Sequence, residues 1–230
     1  MLVRAKQGAR EGLWLRAERQ SGGHGRLARP WQSPLGNLYT STLVRVGDGD
    51  PPAHTLAFVS GLALFDSIAP MLSKETGLAP MLKWPNDVLV DGAKLSGILL
   101  ERQGDAVVIG FGVNVAIAPQ IEGRSVTCLH QAGAPSSLTA DMLVHDLAGV
   151  FRERLAEWRG GGLAALLARW SDHAHKRGTA LKVTMSSGET VHGEFDGLES
   201  DGTLRLCRPG GSPMTITAGD VELVRPVQAG

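Results

Sequence analysis

Four stretches carry residues that could do chemistry. The first is Gln20-Ser21-Gly22-Gly23-His24-Gly25-Arg26-Leu27-Ala28-Arg29-Pro30-Trp31. Its glycines let backbone N–H groups approach an anion closely, and its two arginines add fork-shaped cationic donors. A solvated flexible loop has the same composition. The second is Lys83-Trp84-Pro85-Asn86-Asp87. Here a strand ends at a proline turn that presents an amide and a carboxylate together. Those groups suit a hydrated Mg²⁺, and they equally suit an ordinary polar turn. Trp84 reads as core. The third, Lys94-Leu95-Ser96-Gly97-Ile98-Leu99-Leu100-Glu101, places a lysine at the head of an apolar strand, just past a turn. Gly97 inside that strand marks a place where a ligand or another backbone could come close; the plain alternative for Lys94 is an exposed hairpin lysine. The fourth, Gly110-Phe111-Gly112-Val113-Asn114, interrupts a second apolar strand with glycines, as a bulge or tight packing would. The order of the four is more informative than any one of them.

Positioning these residues requires a scaffold, and the pattern supplies one. Residues 13–20 and 37–46 read as strands. Residues 54–73 read as a helix, with Phe58, Leu62, Phe65, Ala69 and Leu72 on one face. Strands follow at 80–84, 87–91, 94–101 and 106–116, and Asp91-Gly92 signals a tight hairpin. A second helix starts at Thr139 as N-cap, with Leu143, Leu147, Val150, Arg154 and Trp158 on one face. Gly160-Gly161-Gly162 breaks it before a third helix carrying Leu163, Leu166, Leu167 and Trp170. After Gly178 the texture changes to short strands at 180–185, 190–198, 203–208, 214–217 and 221–225, separated by Ser-Gly, Asp-Gly and Pro-Gly-Gly turns. That spacing suggests a small barrel. The boundary falls near Lys176–Gly178, giving domains 1–177 and 178–230. No internal repeat is visible.

Bulk properties narrow the class. Lys plus Arg and Asp plus Glu both number 23, so no overall field draws the chain to nucleic acid or to an anionic membrane. A hydrophobic share of 43% with 20% charged residues is ordinary for a soluble globular protein. Cys128 and Cys207 form no CxxC pair, which argues against a thiolate metal site or redox motif. There is no signal-peptide core and no run of 18 apolar residues, so the cytoplasm is the expected compartment.

The four stretches, in this order, resemble the biotin–protein ligase family. Ala17-Glu18-Arg19-Gln20, then Gly23-His24-Gly25-Arg26 and Trp31-Gln32-Ser33-Pro34, are similar to its Gly-Arg-Gly-Arg loop. Lys83 to Asp87 repeats its Lys-Trp-Pro-Asn-Asp signature unchanged, and Lys94-Leu95-Ser96-Gly97-Ile98-Leu99 matches its lysine-bearing strand. The resemblance runs from about residue 9 to the end. It implies an α+β fold: a class II aminoacyl-tRNA synthetase-like mixed sheet with flanking helices, then an SH3-like barrel. It implies an enzyme that makes biotinyl-5′-AMP from biotin and ATP with Mg²⁺. Biotin then passes to a lysine of a biotin carboxyl carrier protein domain.

The resemblance also assigns residues. Lys94, Arg26 and Asp87 are the catalytic candidates. Gln20, His24, Gly25, Arg26, Lys94, Gly97 and Gly112 are the biotin set, with Ile98 beside them. Arg29, Trp31, Lys83, Asn86 and Asn114 are assigned to ATP, and Asn86 and Asp87 to the metal. The chemistry explains the cations. A carboxylate must attack an anionic α-phosphate, which requires fixed positive charge. In the second step a carrier lysine, of ordinary pKa about 10.4, must lose a proton. Asp87 is a candidate base or a metal ligand. The glycine loop would close over the adenylate and exclude water.

Departures from the family pattern fall in that loop. His24 stands in place of the usual Arg, and Leu27-Ala28 in place of Arg-Gly, so two fixed cations are missing where the adenylate must be retained. Three rival readings share parts of this pattern. A lipoate–protein ligase shares the fold and chemistry, but the unchanged Lys-Trp-Pro-Asn-Asp turn argues against it. A biotin-sensing repressor carries an N-terminal helix-turn-helix of about 60 residues, whereas this neutral chain starts almost on the catalytic stretch. An inactive biotin-binding module conflicts with intact Lys94, Arg26 and Asp87. A homodimer is compatible with everything above. The barrel is expected to serve carrier transfer more than biotin recognition, so that a cut after Lys176 leaves biotin binding measurable. Finally, Met1 to Gln7 reads as the second half of a helix without an N-cap, and no Ser, Thr or Asn precedes Ser21. The expectation is an upstream start, with a Ser-Thr-Asn segment that holds biotin's ureido ring.

Overall fold

The computed structural model describes residues 1–72, 74–185, 187–208, 210 and 213–223 of the 230-residue chain. A short helix α1 (Leu2–Lys6) leads into β1 (Trp14–Ala17) and β2 (Leu38–Arg45). Helix α2 (Leu56–Ile68) precedes β3 (Pro80–Lys83), β4 (Asp87–Val90), β5 (Ala93–Gln103) and β6 (Ala106–Val113). Helices α3 (Ala140–Glu157) and α4 (Leu163–Asp172) follow. The chain ends in β7 (Ala180–Met185), β8 (Thr190–Leu198), β9 (Leu204–Cys207), β10 (Pro213–Ile216) and β11 (Gly219–Leu223). The strand expected at 221–225 thus starts two residues earlier, and its last two positions lie outside the described residues.

Strands β1 to β6 form one sheet in the order β1-β2-β6-β5-β4-β3. Every ladder in it is antiparallel, which corrects the mixed sheet expected above. The reason is local. Strands β3 to β6 are joined by connections too short for a parallel crossover, and short connections make antiparallel neighbours. The parallel element is one isolated bridge, Lys94 to Val126. At the hairpin between β4 and β5, Asp91 and Gly92 both take positive φ, 50° and 71°, as a two-residue primed turn requires. Strand β6 ends at Val113 rather than at 116. There the side-chain oxygen of Asn37 accepts the N–H groups of Val115, Ala116 and Ile117, each at 3.0 Å, and draws the backbone out of the ladder.

Helix α2 touches α3, α4 and strands β3 to β5. With its flanking turns it is long and apolar enough to cross a membrane by composition alone. Here, however, 10 of its 13 residues are buried in the core. Thr139 caps α3 as expected, accepting from the Met142 N–H at 3.3 Å. The buried stripe of α3 is Leu143, Leu147, Phe151, Leu155 and Trp158. Val150 and Arg154, expected on that face, are half-buried beside it. Arg154 holds its charge at the margin through Asp66 and Glu157. Gly161, at φ 87°, turns the chain between α3 and α4.

The five C-terminal strands make a second antiparallel sheet, ordered β10-β9-β8-β7-β11. Its inner face does not close on itself alone. Leu181, Val183, Phe195 and Leu206 belong to the same core as Phe58, Trp84 and Trp170. The Asp201-Gly202 turn fits into the first unit like a peg. A Cβ on Gly202 would lie 2.2 Å from the Phe58 ring. The Gly202 carbonyl accepts the Trp84 indole N–H at 3.1 Å, and the His54 ring pairs with the Asp201 carbonyl at 2.9 Å. A cut after Lys176 would uncover Phe58 and orphan Trp84. The expectation that such a cut leaves biotin binding measurable therefore applies to a shortened chain that still folds without this contact.

One buried group gives this junction a pH signature. His175 is 5% exposed and packs edge-on against Phe195. Its Nε2 finds no partner among the described residues. Burial, and secondarily the charge on Lys83, push its pKa down from 6.5 to about 4. The unfolded chain therefore takes up this proton first as pH falls. The stability in question is present above about pH 6.5 and is lost progressively toward pH 4, by up to roughly 3 kcal/mol. Urea midpoints should fall across that window, and His175→Phe should flatten the fall. An equal slope in the variant would remove His175 from this role.

Candidate functional site

The cleft begins with the loop after β1. It is a small hairpin closed by its own backbone: Trp31 N–H to Gly23 O at 2.9 Å, and Gly25 N–H to Arg29 O at 2.8 Å. At its tip Leu27 and Ala28 both sit in the left-handed region, each at φ 55°. Residues with a Cβ are destabilised there by about 1–2 kcal/mol apiece. The loop covers a cavity of about 1300 Å³ bounded by the first sheet on one side and by β7 and β11 on the other.

Two carboxylates organise the charge in this cavity. Asp87, at the start of β4, lies between two lysines: Lys94 Nζ at 2.7 Å and Lys83 Nζ at 3.7 Å. Asp220, on β11, lies between two arginines, Arg26 at 3.7 Å and Arg29 closer still. Arg26 also donates to the Gly219 carbonyl at 3.0 Å and to Asn86 Oδ1 at 3.4 Å. Asn86 is fixed in turn, because its amide nitrogen donates to the Ile98 carbonyl. Each bridged pair keeps one net positive charge, so the floor between the two pairs suits an anionic occupant.

The apolar part of the cleft is a shelf. Gly97 and Gly112 face each other across β5 and β6, and the Trp31 indole lies on them. A Cβ on Gly112 would come within 2.6 Å of that ring, and one on Gly97 within 3.2 Å of both the ring and Lys94 Nζ. The Lys94 ammonium sits 5.5 Å from the centre of the indole, within cation–π range. The indole N–H is buried without a partner among the described residues.

Most residues singled out from sequence line this one cavity: Gln20, His24, Gly25, Arg26, Arg29 and Trp31, and also Lys83, Asn86, Asp87, Lys94, Gly97 and Gly112. His24 reaches back to Glu101 on β5 at 3.7 Å. Asn114 does not reach the cavity. It is 1% exposed, its amide donates to the Thr127 carbonyl at 3.0 Å, and its oxygen accepts from Asn37 at 3.4 Å. The structure thus sets Asn114 apart from the other residues assigned to the site, buried behind the cavity wall. The metal assignment of Asn86 and Asp87 also fits poorly. Asp87 already serves two ammonium groups, Asn86 Oδ1 serves Arg26, and a dication 2–3 Å from the carboxylate would meet Lys94. Among the described residues no group of three His, Cys, Asp or Glu side chains could hold a metal. Sequence reasoning missed Asp220. Nothing in Gly219-Asp220 distinguishes it from a turn; only the packing of the two sheets brings it to the loop.

This is the site of a protein that gathers anionic reactants over an apolar slot. Comparison with known proteins agrees. Residues 6–114 match the Biotin/lipoate A/B protein ligase family. The chain is 33% identical to a biotin–[acetyl-CoA-carboxylase] ligase of Paracoccus denitrificans, over 90% of this chain and 89% of that one. It is 36% identical to the enzyme of the same description from Mycobacterium tuberculosis, over 98% and 84%. A solved biotin protein ligase of Aquifex aeolicus, in complex with biotin and ATP, superposes with a TM-score of 0.80 at 25% identity, covering 95% and 91%. The chain belongs to the biotin–protein ligase family.

The shelf can be tested directly. Gly112→Ala should force the Trp31 ring off β6 and lower stability by about 1–3 kcal/mol, the usual cost of overpacking. Tryptophan emission should shift to the red in Gly112→Ala, and not when Trp31 is already Phe. Unchanged emission would mean that the indole does not rest on the shelf.

Proposed function

We infer that this chain is an ATP-dependent ligase that forms biotinyl-5′-AMP from biotin and ATP. It then transfers biotin to a specific lysine of a biotin carboxyl carrier protein domain. The observation that carries the reading is the pair of carboxylate-bridged cation clusters facing one apolar shelf, in a chain of this family. The relatives' description as biotin–[acetyl-CoA-carboxylase] ligases makes an acetyl-CoA carboxylase the proposed owner of the carrier.

In the first half-reaction an oxygen of the biotin carboxylate attacks the α-phosphorus and the bond to pyrophosphate breaks. Three anions would repel one another in an uncharged cleft. Lys94, Lys83 and Arg26 stand where that charge would gather, and fixed donors act most strongly on the charge that builds up in the transition state. Biotin's bicycle and valeryl chain are assigned to the apolar slot beside Trp31, Gly97, Ile98 and Gly112. In the second half-reaction the carrier lysine, as the neutral amine, attacks the acyl carbon; the acyl C–O bond to the phosphate breaks, AMP leaves, and the amine's proton passes to the departing phosphate or to water. Asp87, with both oxygens turned to ammonium groups, is proposed as the positioner of Lys94 and Lys83 rather than as the base. Magnesium is proposed as a companion of the triphosphate, not as a resident ion.

The coarser architecture supports a finer proposal. The six-stranded sheet with α2 to α4 is assigned to the class II synthetase-like type. The strands after Gly178 are assigned to an SH3-like barrel forming a second domain, 178–230, beside 1–177. The cytoplasm is the proposed compartment, with small molecules and the carrier as partners.

The test is biotin-dependent exchange of labelled pyrophosphate into ATP. The wild-type chain should exchange with biotin and not with lipoate. Lys94→Ala should lose about 10²–10³ in rate, the effect of deleting one transition-state donor. Exchange supported by lipoate alone would reassign the acyl group, and full activity of Lys94→Ala would return that lysine to the hairpin surface.

A further inference from the structure

The loop over the cleft contains a turn that should not hold its shape unaided. Leu27 and Ala28, both at φ 55°, are adjacent residues with a Cβ in the left-handed region, and such strain persists only where the surroundings over-determine it. Their own side chains offer no anchor: Leu27 is 67% exposed. The anchors are the two residues that flank them. Arg26 and Arg29 both close on Asp220, and Arg26 also donates to the carbonyl of Gly219, 193 residues further along the chain. Two guanidinium groups at either end of a four-residue turn repel each other unless an anion stands between them. One carboxylate on β11 removes the repulsion and fixes both ends of the turn at once.

We propose that Asp220 is a positioning residue that clamps the strained Leu27-Ala28 turn and so seats the loop over the cleft before any ligand arrives. The clamp does in protein what a bound phosphate would otherwise have to do, which matters in a loop where His24 and Leu27 stand in place of two cations. It acts through Arg26 and Arg29 and does not touch the reacting atoms. The two arginines line the cavity and together keep one net positive charge beside Asp220, so an entering phosphate meets that charge already in place. Taken singly, half-exposed ion pairs contribute little. Here two of them share one carboxylate across a strained turn, so both must break before the turn is released. The claim that the arginines face nucleotide phosphates rests on the ligase reading; the claim that Asp220 seats the loop does not.

The experiment is amide hydrogen exchange of residues 23–31 in the full chain without ligand. In the wild type the N–H groups of Gly25 and Arg29, bonded to Arg29 O and Arg26 O, should be protected. In Asp220→Asn they should exchange about tenfold faster or more, the scale of losing charge-assisted hydrogen bonds. Asp220→Glu should recover part of the protection. Arg29→Gln should loosen the same amides without altering β11, which keeps the test sound if Asp220→Asn unfolds. In the active enzyme Asp220→Asn should raise the KM for ATP about tenfold, with the KM for biotin and kcat within about twofold. Wild-type exchange in folded Asp220→Asn and Arg29→Gln would overturn the clamp, whatever the kinetics. Absence of any biotin-dependent activity in the wild type would overturn the ligase reading instead, and the exchange experiment would still decide on Asp220.

Discussion

Four cations are gathered in one cleft, and they stay together because each of two carboxylates is shared between two of them. Asp87 joins Lys83 to Lys94, and Asp220 joins Arg26 to Arg29. Without these bridges the like charges would splay toward solvent before any anionic reactant arrived. With them, each pair keeps a single positive charge at a fixed place. The bridges also dictate the architecture. One carboxylate starts a strand of the first sheet and the other lies on an edge strand of the second, so both sheets must be held in register. The shared core, the Gly202 peg against Phe58 and the Trp84 bond to the Gly202 carbonyl do that.

The uncharged half of the cleft follows from the same geometry. Lys94 can lie flat along β5 toward Asp87 only because Gly97 has no side chain, and Trp31 can lie over β5 and β6 only because Gly112 has none. The indole and the ammonium are thereby neighbours. The apolar shelf ends where the positive charge begins, which is the arrangement that the proposed activation of a carboxylate on an apolar chain requires. The loop that carries Trp31 also carries Arg26 and Arg29, so seating the arginines and seating the indole are one event.

How much of this was legible in the sequence depends on how local each cause is. Asp91-Gly92 announced its hairpin and Thr139 its cap, because turn chemistry is local; the single face read into 54–73 was too narrow, since α2 ends at Ile68, is buried nearly all round, and leaves Phe65 half-buried. The Lys83–Asp87 turn and the Lys94 strand were readable as one site through a family resemblance, and the fold does bring them together. The position of Asn114 was not legible: beside a glycine strand it reads as a cavity residue, whereas the fold buries it with its amide bonded to Thr127 and Asn37. The mixed sheet was carried over from the resemblance and not from the connection lengths, which favour antiparallel pairing. Asp220 was invisible: its role exists only once β11 has docked beside a loop nearly two hundred residues away.

If an anion binds between the two bridged cation pairs with its apolar chain on the glycine shelf, a crystal structure with a hydrolysis-resistant biotinyl-AMP analogue will show it. The analogue's phosphate or its isostere should lie within hydrogen-bond reach of Lys94 and Arg26, with Asp87 and Asp220 still bridging their partners and the acyl chain against Gly97, Gly112 and Trp31. A phosphate bound elsewhere, or a site formed only after both carboxylates have turned away, would contradict this arrangement.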